Sequence, residues 1–155
     1  MNNEFNLLVI ILGFSSVWCL VLYIASKRSG WRTISDKYRW EGPISGLELF
    51  QRRKRPLRIL SINGLGGGES SVRVYVNPTG LFLAPKLMFK PFHPNLFIPW
   101  GDIKDERAEK SVLGFKITSI RLNLIGTDGS YIEFSEDNAL KLKEASQGGW
   151  NSKTV

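Results

Sequence analysis

Residues 5–26, FNLLVIILGFSSVWCLVLYIAS, hold no charged side chain, and this constrains the chain more than anything that follows. A helix rises about 1.5 Å per residue, so about 20 residues cover the roughly 30 Å hydrocarbon core of a bilayer. Thirteen of the 22 are Leu, Ile, Val or Phe, each favouring insertion by roughly 0.3–0.6 kcal/mol near the membrane centre. A cleaved signal peptide would need a basic leader, a shorter apolar core and a small-residue cleavage site. Here Glu4 is the only charged side chain ahead of the core, and Val17-Trp18 is too bulky for lipoprotein processing at Cys19. The expectation is an uncleaved transmembrane helix over 5–26. Tyr23 falls where an interfacial aromatic belongs, while Trp18 lies deeper than Trp prefers.

Charge is distributed unevenly around this helix. Residues 27–58 carry ten basic and three acidic side chains, and account for the whole formal net charge of +7. Lys27, Arg28, Arg32 and Lys37 follow the helix closely, with no basic side chain before it. The positive-inside rule then leaves residues 1–4 outside and puts the C-terminal part in the cytoplasm of a single-pass membrane protein. In a bacterium that membrane would be the inner one. With one cysteine and one histidine, the chain has no disulfide framework and lacks the residues for most thiolate or imidazole metal sites. Gly13 and Ser16 stand at helical spacing, either as a packing face or as ordinary lipid-facing residues.

Residues 27–56 read as a basic juxtamembrane linker containing a short amphipathic helix. Trp31, Ile34 and Tyr38 recur at i, i+3 and i+7, and Glu41-Gly42-Pro43 ends the pattern. Two readings stand: the helix lies at headgroup level with its basic residues, or its aromatics cap the core behind it. Arg52, Arg53, Lys54 and Arg55 form the sharpest charge run in the chain. It is either a solvated loop that sets topology, or a patch on an anionic leaflet, where each basic residue contributes about 1 kcal/mol. No aromatics interleave with it, so no nucleic acid is expected. The anionic-lipid candidates are therefore Lys27, Arg28, Trp31, Arg32 and Arg52–55.

From residue 57 the period changes to two. Val72, Val74 and Val76 alternate with Arg73 and Tyr75, Asn77-Pro78-Thr79-Gly80 turns, and Leu81-Phe82-Leu83 returns. Short apolar runs are set off by Pro85, Pro91, Pro94 and Pro99. Residues 104–110 read as a charged, solvated turn and 115–125 as a long strand. Thr127-Asp128-Gly129-Ser130 is a hairpin signal leading to 131–134. Ser135 is the favoured N-cap for a short helix over 139–145, carrying Leu140 and Leu142. Residues 57–146 thus read as a mainly β domain, a small antiparallel barrel or sandwich of six or seven strands closed by a C-terminal helix, with 147–155 a loose tail.

The strand-turn-strand of residues 72–83, followed by Phe92-His93-Pro94-Asn95-Leu96-Phe97-Ile98-Pro99-Trp100-Gly101-Asp102-Ile103, resembles the central strands of PH-like domains of the pleckstrin homology and GRAM type. The whole chain is similar to small bacterial proteins that join one N-terminal membrane helix to such a domain, and the resemblance covers roughly residues 29–145. The resemblance implies a barrel capped by a C-terminal helix, and a binding role. The capping helix is shorter here than in the family, and Arg52–55 do not align with the family's headgroup-binding loop, so lipid specificity is not carried over.

No catalytic constellation emerges. Gly64–68 lacks the Gly-Lys-Ser/Thr of a phosphate loop and has Glu69 instead. His93 has no partner in the sequence to orient it and no nucleophile beside it. Asp102, Asp105, Glu106 and Glu109 are interleaved with Lys104, Arg107 and Lys110. No cofactor, metal or enzymatic activity is expected. In the run 87–100, Phe89, Phe92 and Phe97 either pack inside or form a contact patch for a protein partner or the membrane. The reading is a non-enzymatic, membrane-tethered cytoplasmic binding module that contacts a protein partner or the anionic membrane surface. The alternative is an accessory subunit of a membrane complex, assembled through its transmembrane helix.

Overall fold

The computed structural model describes residues 3–42, 59–66, 72–112 and 115–151. The sequence-expected basic run at Arg52, Arg53, Lys54 and Arg55 lies outside the described residues, as does Glu69. The apolar segment forms α1 (Asn3–Arg28), with Glu4 in its first turn and Lys27 and Arg28 in its last, each opposite in sign to the nearby end of the helix dipole. It is long and apolar enough to cross a membrane. From Glu4 to Val21 every side chain is exposed except half-buried Trp18. Gly30, at φ +67°, turns the chain into α2 (Trp31–Tyr38).

Two antiparallel sheets follow. β1 (Ile59–Ile62) and β2 (Leu65–Gly66) join β6 (Ile103–Val112), β7 (Phe115–Leu124) and β8 (Tyr131–Ser135) in the order β2-β1-β8-β7-β6. β3 (Val72–Asn77), β4 (Gly80–Pro85) and β5 (Leu96–Pro99) make a three-stranded sheet in chain order. α3 (Glu136–Ala145) closes the fold.

Turn chemistry explains the connections. Asn77 Oδ1 accepts from the backbone N–H groups of Thr79 at 3.0 Å and Gly80 at 2.7 Å, an Asx turn that folds β3 onto β4. A Cβ on Gly80 would meet the Ile98 carbonyl at 2.5 Å, so only glycine lets β5 pair this closely. Asp128 and Gly129, at φ +38° and +75°, supply the left-handed pair that a tight β7–β8 hairpin requires. Ser135 caps α3 by accepting from the Asn138 amide, and the helix starts three residues before the expected 139.

The expected barrel does not close, and the molecule is a mix of helix and sheet rather than mainly β. Between β5 and β6 the 3-10 turn Trp100–Asp102 carries the chain from one sheet to the other, and the two strands are not paired. α2 packs against β5, with Arg39 at its end bridged to Leu96. Its Trp31, Ile34 and Tyr38 join a core with Leu81, Leu83 and Ile98 of the small sheet and Ile120, Leu122 and Phe134 of the large one. This favours the core-capping reading of α2. Trp31 is 1% exposed, so it is not the membrane-surface contact expected from the sequence.

Two further expectations are corrected. Residues 104–110 are not a solvated turn but most of β6, paired with β7 from Ile103↔Leu124 to Val112↔Phe115. β6 is an edge strand, where charged side chains stay in water and discourage pairing with other chains. The C-terminal segment is not loose from 147: Trp150 is buried and stacks on Trp100 at 5.7 Å. On α3, Leu142 enters the core and Leu140 points to solvent.

Candidate functional site at the anchor junction

α1, α2 and the excursion between β4 and β5 converge at one place. After Pro85 the chain leaves the small sheet, forms the 3-10 helix Leu87–Phe92 and returns to β5. Phe89 faces Trp18, with ring centroids 6.3 Å apart, and Phe92 meets Tyr23 edge-on at 5.9 Å. The Ser26 hydroxyl donates to the Phe92 carbonyl at 2.9 Å, and Leu22 is buried. Phe92 therefore lies beside the later part of α1 and Phe89 beside an earlier part, so the 3-10 helix runs antiparallel to α1. Its leading residues, Leu87 and Met88, are 84% and 55% exposed.

Behind this contact the junction is held by backbone acceptors. Trp31 Nε1–H donates to the Pro94 carbonyl at 3.2 Å, and the indole meets the His93 ring edge at 5.4 Å. His93 Nδ1 is 3.0 Å from the Phe89 carbonyl. A carbonyl only accepts, so Nδ1 carries the hydrogen. Burial lowers the His93 pKa, partly opposed by this bond, favouring the neutral ring. His93 thus staples the 3-10 helix to α2. Asn63, at the β1–β2 turn, donates to the Ser29 carbonyl at 2.8 Å and accepts from the Tyr131 amide at 2.7 Å, tying the α1–α2 turn to the large sheet.

The far end of α2 is fixed as well. Lys37 Nζ lies 3.1 Å from Asp102 Oδ2 and 2.7 Å from the Ile125 carbonyl. The Tyr38 hydroxyl lies 3.0 and 2.8 Å from the same two acceptors. Hydrogen bonds from Lys37 and Tyr38 hold the Asp102 carboxyl below its ordinary range. The acids of the 102–109 stretch are spread along a turn and a strand: Asp102 serves α2, and Glu106 accepts from Asn123 at 3.1 Å.

On the side of the junction away from the core is a groove of about 400 Å³. Lys27 comes from the last turn of α1, Arg32 from the first turn of α2, and Lys90 from the 3-10 helix. Lys27 Nζ sits 4.8 Å above the Tyr23 ring. Among the described residues Asp36 is the one carboxylate on the groove wall, and Arg39, also on the wall, pairs with Glu41 at 2.9 Å.

Of the sequence candidates, Lys27 and Arg32 come together here, whereas Arg28 is exposed outside the groove wall. Phe89 and Phe92 are a contact patch whose observed occupant is α1 itself. Phe97 is half-buried against Trp40 at 5.5 Å, on the outer face of the small sheet. Lys90 escaped the sequence reading, although a lysine among Met88, Phe89 and Phe92 is the pattern of a side chain that lifts its charge out of an apolar layer. Comparison with protein-family models, curated proteins and solved structures finds no match to this chain.

Proposed function

We propose that this protein is a single-pass membrane protein whose PH-like cytoplasmic domain is a non-enzymatic binding module, seated on the bilayer surface by its own anchor. One observation carries the reading: the last turns of α1 are packed into the domain through Leu22, Tyr23 and Ser26. A removable signal segment would leave that packing surface bare. The anchor is a rigid mount rather than a string, so the domain meets the membrane with one fixed face.

The depth follows from helix geometry. With Phe5 at the outer boundary, about 20 residues bring Ile24 to the inner one, and Trp18 lies about 9 Å further in. Phe89 then lies below the headgroups and Phe92 at the boundary. Leu87 and Met88, on the leading turn, are as deep as Phe89 or deeper. Transfer of such side chains from water to hydrocarbon favours the docked state by about 2 kcal/mol each.

The accessory-subunit reading has weaker support. Gly13 has nothing within 4 Å, which leaves room for a helix partner, but the Ser16 hydroxyl is satisfied by the Leu12 carbonyl at 2.8 Å and calls for none.

A sidedness experiment tests the proposal. In a Cys19→Ser background, Asp128→Cys on the β7–β8 hairpin reacts with an impermeant maleimide in inverted vesicles and not in intact cells. The protein also stays in the membrane pellet after alkaline carbonate. Labelling from outside, or release by carbonate, contradicts it.

A further inference from the structure

We propose that the groove between α1, α2 and the 3-10 helix holds the headgroup of one anionic phospholipid, with its phosphate among Lys27, Arg32 and Lys90. This rests on the reading of α1 as a membrane span, and adds to it a specific ligand class and a site.

The three cations come from three separate segments and face one space of about 400 Å³, a volume typical of small-ligand sites. None of them forms an ion pair with a carboxylate among the described residues, while Arg39 on the same wall is paired with Glu41. The two serine hydroxyls there are already used as donors, Ser26 to the Phe92 carbonyl and Ser35 to the Arg32 carbonyl at 2.8 Å, while the Tyr23 hydroxyl lies within hydrogen-bonding reach of Lys27 and Arg32. Among the described residues, three cations without an ion-pair partner stand against one carboxylate on this wall, so the groove favours an anion. Asp36 sets an upper limit on that preference and disfavours a second acidic group beside it.

A phospholipid rather than a free anion follows from the level and continuity of the groove. Its wall contains Tyr23, Ser26 and Lys27, the stretch of α1 at the hydrocarbon boundary. Its apolar lining of Tyr23, Pro91 and Phe92 runs onto the bare apolar surface of α1 and the exposed Leu87 and Met88. A phosphate in the groove thus has its acyl chains beside hydrocarbon-compatible surface without bending. Lys27, fixed over the Tyr23 ring, is already in place for it.

The test uses the full chain in a neutral detergent, with thermal unfolding followed during titration with dioctanoyl phosphatidylglycerol, dioctanoyl phosphatidylcholine or inorganic phosphate. Phosphatidylglycerol raises the midpoint saturably, with an apparent affinity about tenfold above that of phosphatidylcholine, because the choline ammonium offsets the phosphate charge and is itself repelled by the groove cations, whereas glycerol leaves a net anion. Inorganic phosphate at the same concentrations leaves the midpoint unchanged. Lys27→Gln with Lys90→Gln removes the preference for phosphatidylglycerol while the lipid-free midpoint holds, and Arg28→Gln, outside the groove, keeps it. Equal response to both lipids, or a preference unaltered in the double variant, overturns the proposal. An equal shift with inorganic phosphate also overturns it and makes the groove a small-anion site. Carbonate extraction of the same protein separates the two levels: retention without lipid preference defeats only the groove, whereas release defeats the anchor.

Discussion

Trp31→Ala lowers the stability of the folded domain by about 3–5 kcal/mol, the usual cost of emptying a large aromatic site in a core. Trp31 is 1% exposed, shares one core cluster with residues of both sheets and packs on His93 just after the 3-10 helix, so no single element can move in to fill the space. The truncation also removes the indole donor from the Pro94 carbonyl. Small domains are stable by about 5–15 kcal/mol, so the loss is a large share of the total. Trp31→Phe keeps most of the volume but loses the donor, and costs about 1–2 kcal/mol. Urea unfolding of the full chain in detergent measures both. A loss below about 1 kcal/mol for the alanine variant would mean that α2 lies outside the core.

Gly30→Ala is the second large effect, and arises from the backbone. Gly30 has φ +67°, and an added Cβ would stand 2.0 Å from Asn63 Nδ2. The left-handed conformation costs a non-glycine residue about 1–2 kcal/mol. Moving Asn63 aside adds the loss of its bonds to Ser29 and Tyr131, at about 1 kcal/mol each. The expected destabilisation is about 3 kcal/mol, concentrated where the anchor joins the domain. Gly13→Ala, with open space around the site, is the matched control and leaves the unfolding midpoint unchanged. Equal behaviour of the two variants would contradict the tight turn between α1 and α2.

What could be read from the sequence was whatever local chemistry decides. The apolar length of α1, the 3.6-residue period of Trp31, Ile34 and Tyr38, the Asn77–Gly80 and Asp128-Gly129 turns, and the Ser135 cap all depend on near neighbours. Which way Trp31 faces does not: an amphipathic stripe fits a membrane surface and a protein core equally well. The decision came from Pro94 and His93, more than sixty residues away. β6 escaped because its charges suit a turn, and only its pairing with β7 over ten residues makes it a strand. Trp150 looked free because Gly148-Gly149 precede it. Instead Gly149 packs so closely on the Pro78 carbonyl, which a Cβ would meet at 1.8 Å, that the chain can lay Trp150 on Trp100. Lys27 and Arg32 were visible as juxtamembrane charge. Lys90 was not, because its partners in the groove meet it only through the β4–β5 excursion.

Seating of the domain on the membrane requires the 3-10 helix to lie beside α1 inside the bilayer, and a depth measurement at its exposed tip tests this most directly. A nitroxide on Leu87→Cys in a Cys19→Ser background is placed in liposomes, and its collisions with oxygen and with a polar nickel chelate are compared by power saturation. A label on Asp128→Cys, on the β7–β8 hairpin, provides the aqueous reference. At Leu87 oxygen dominates, as in the acyl-chain region, while at Asp128 the chelate does. Relaxation at Leu87 by the chelate, at the level of Asp128, would mean that the 3-10 helix stands in water and that the domain is not seated on the membrane.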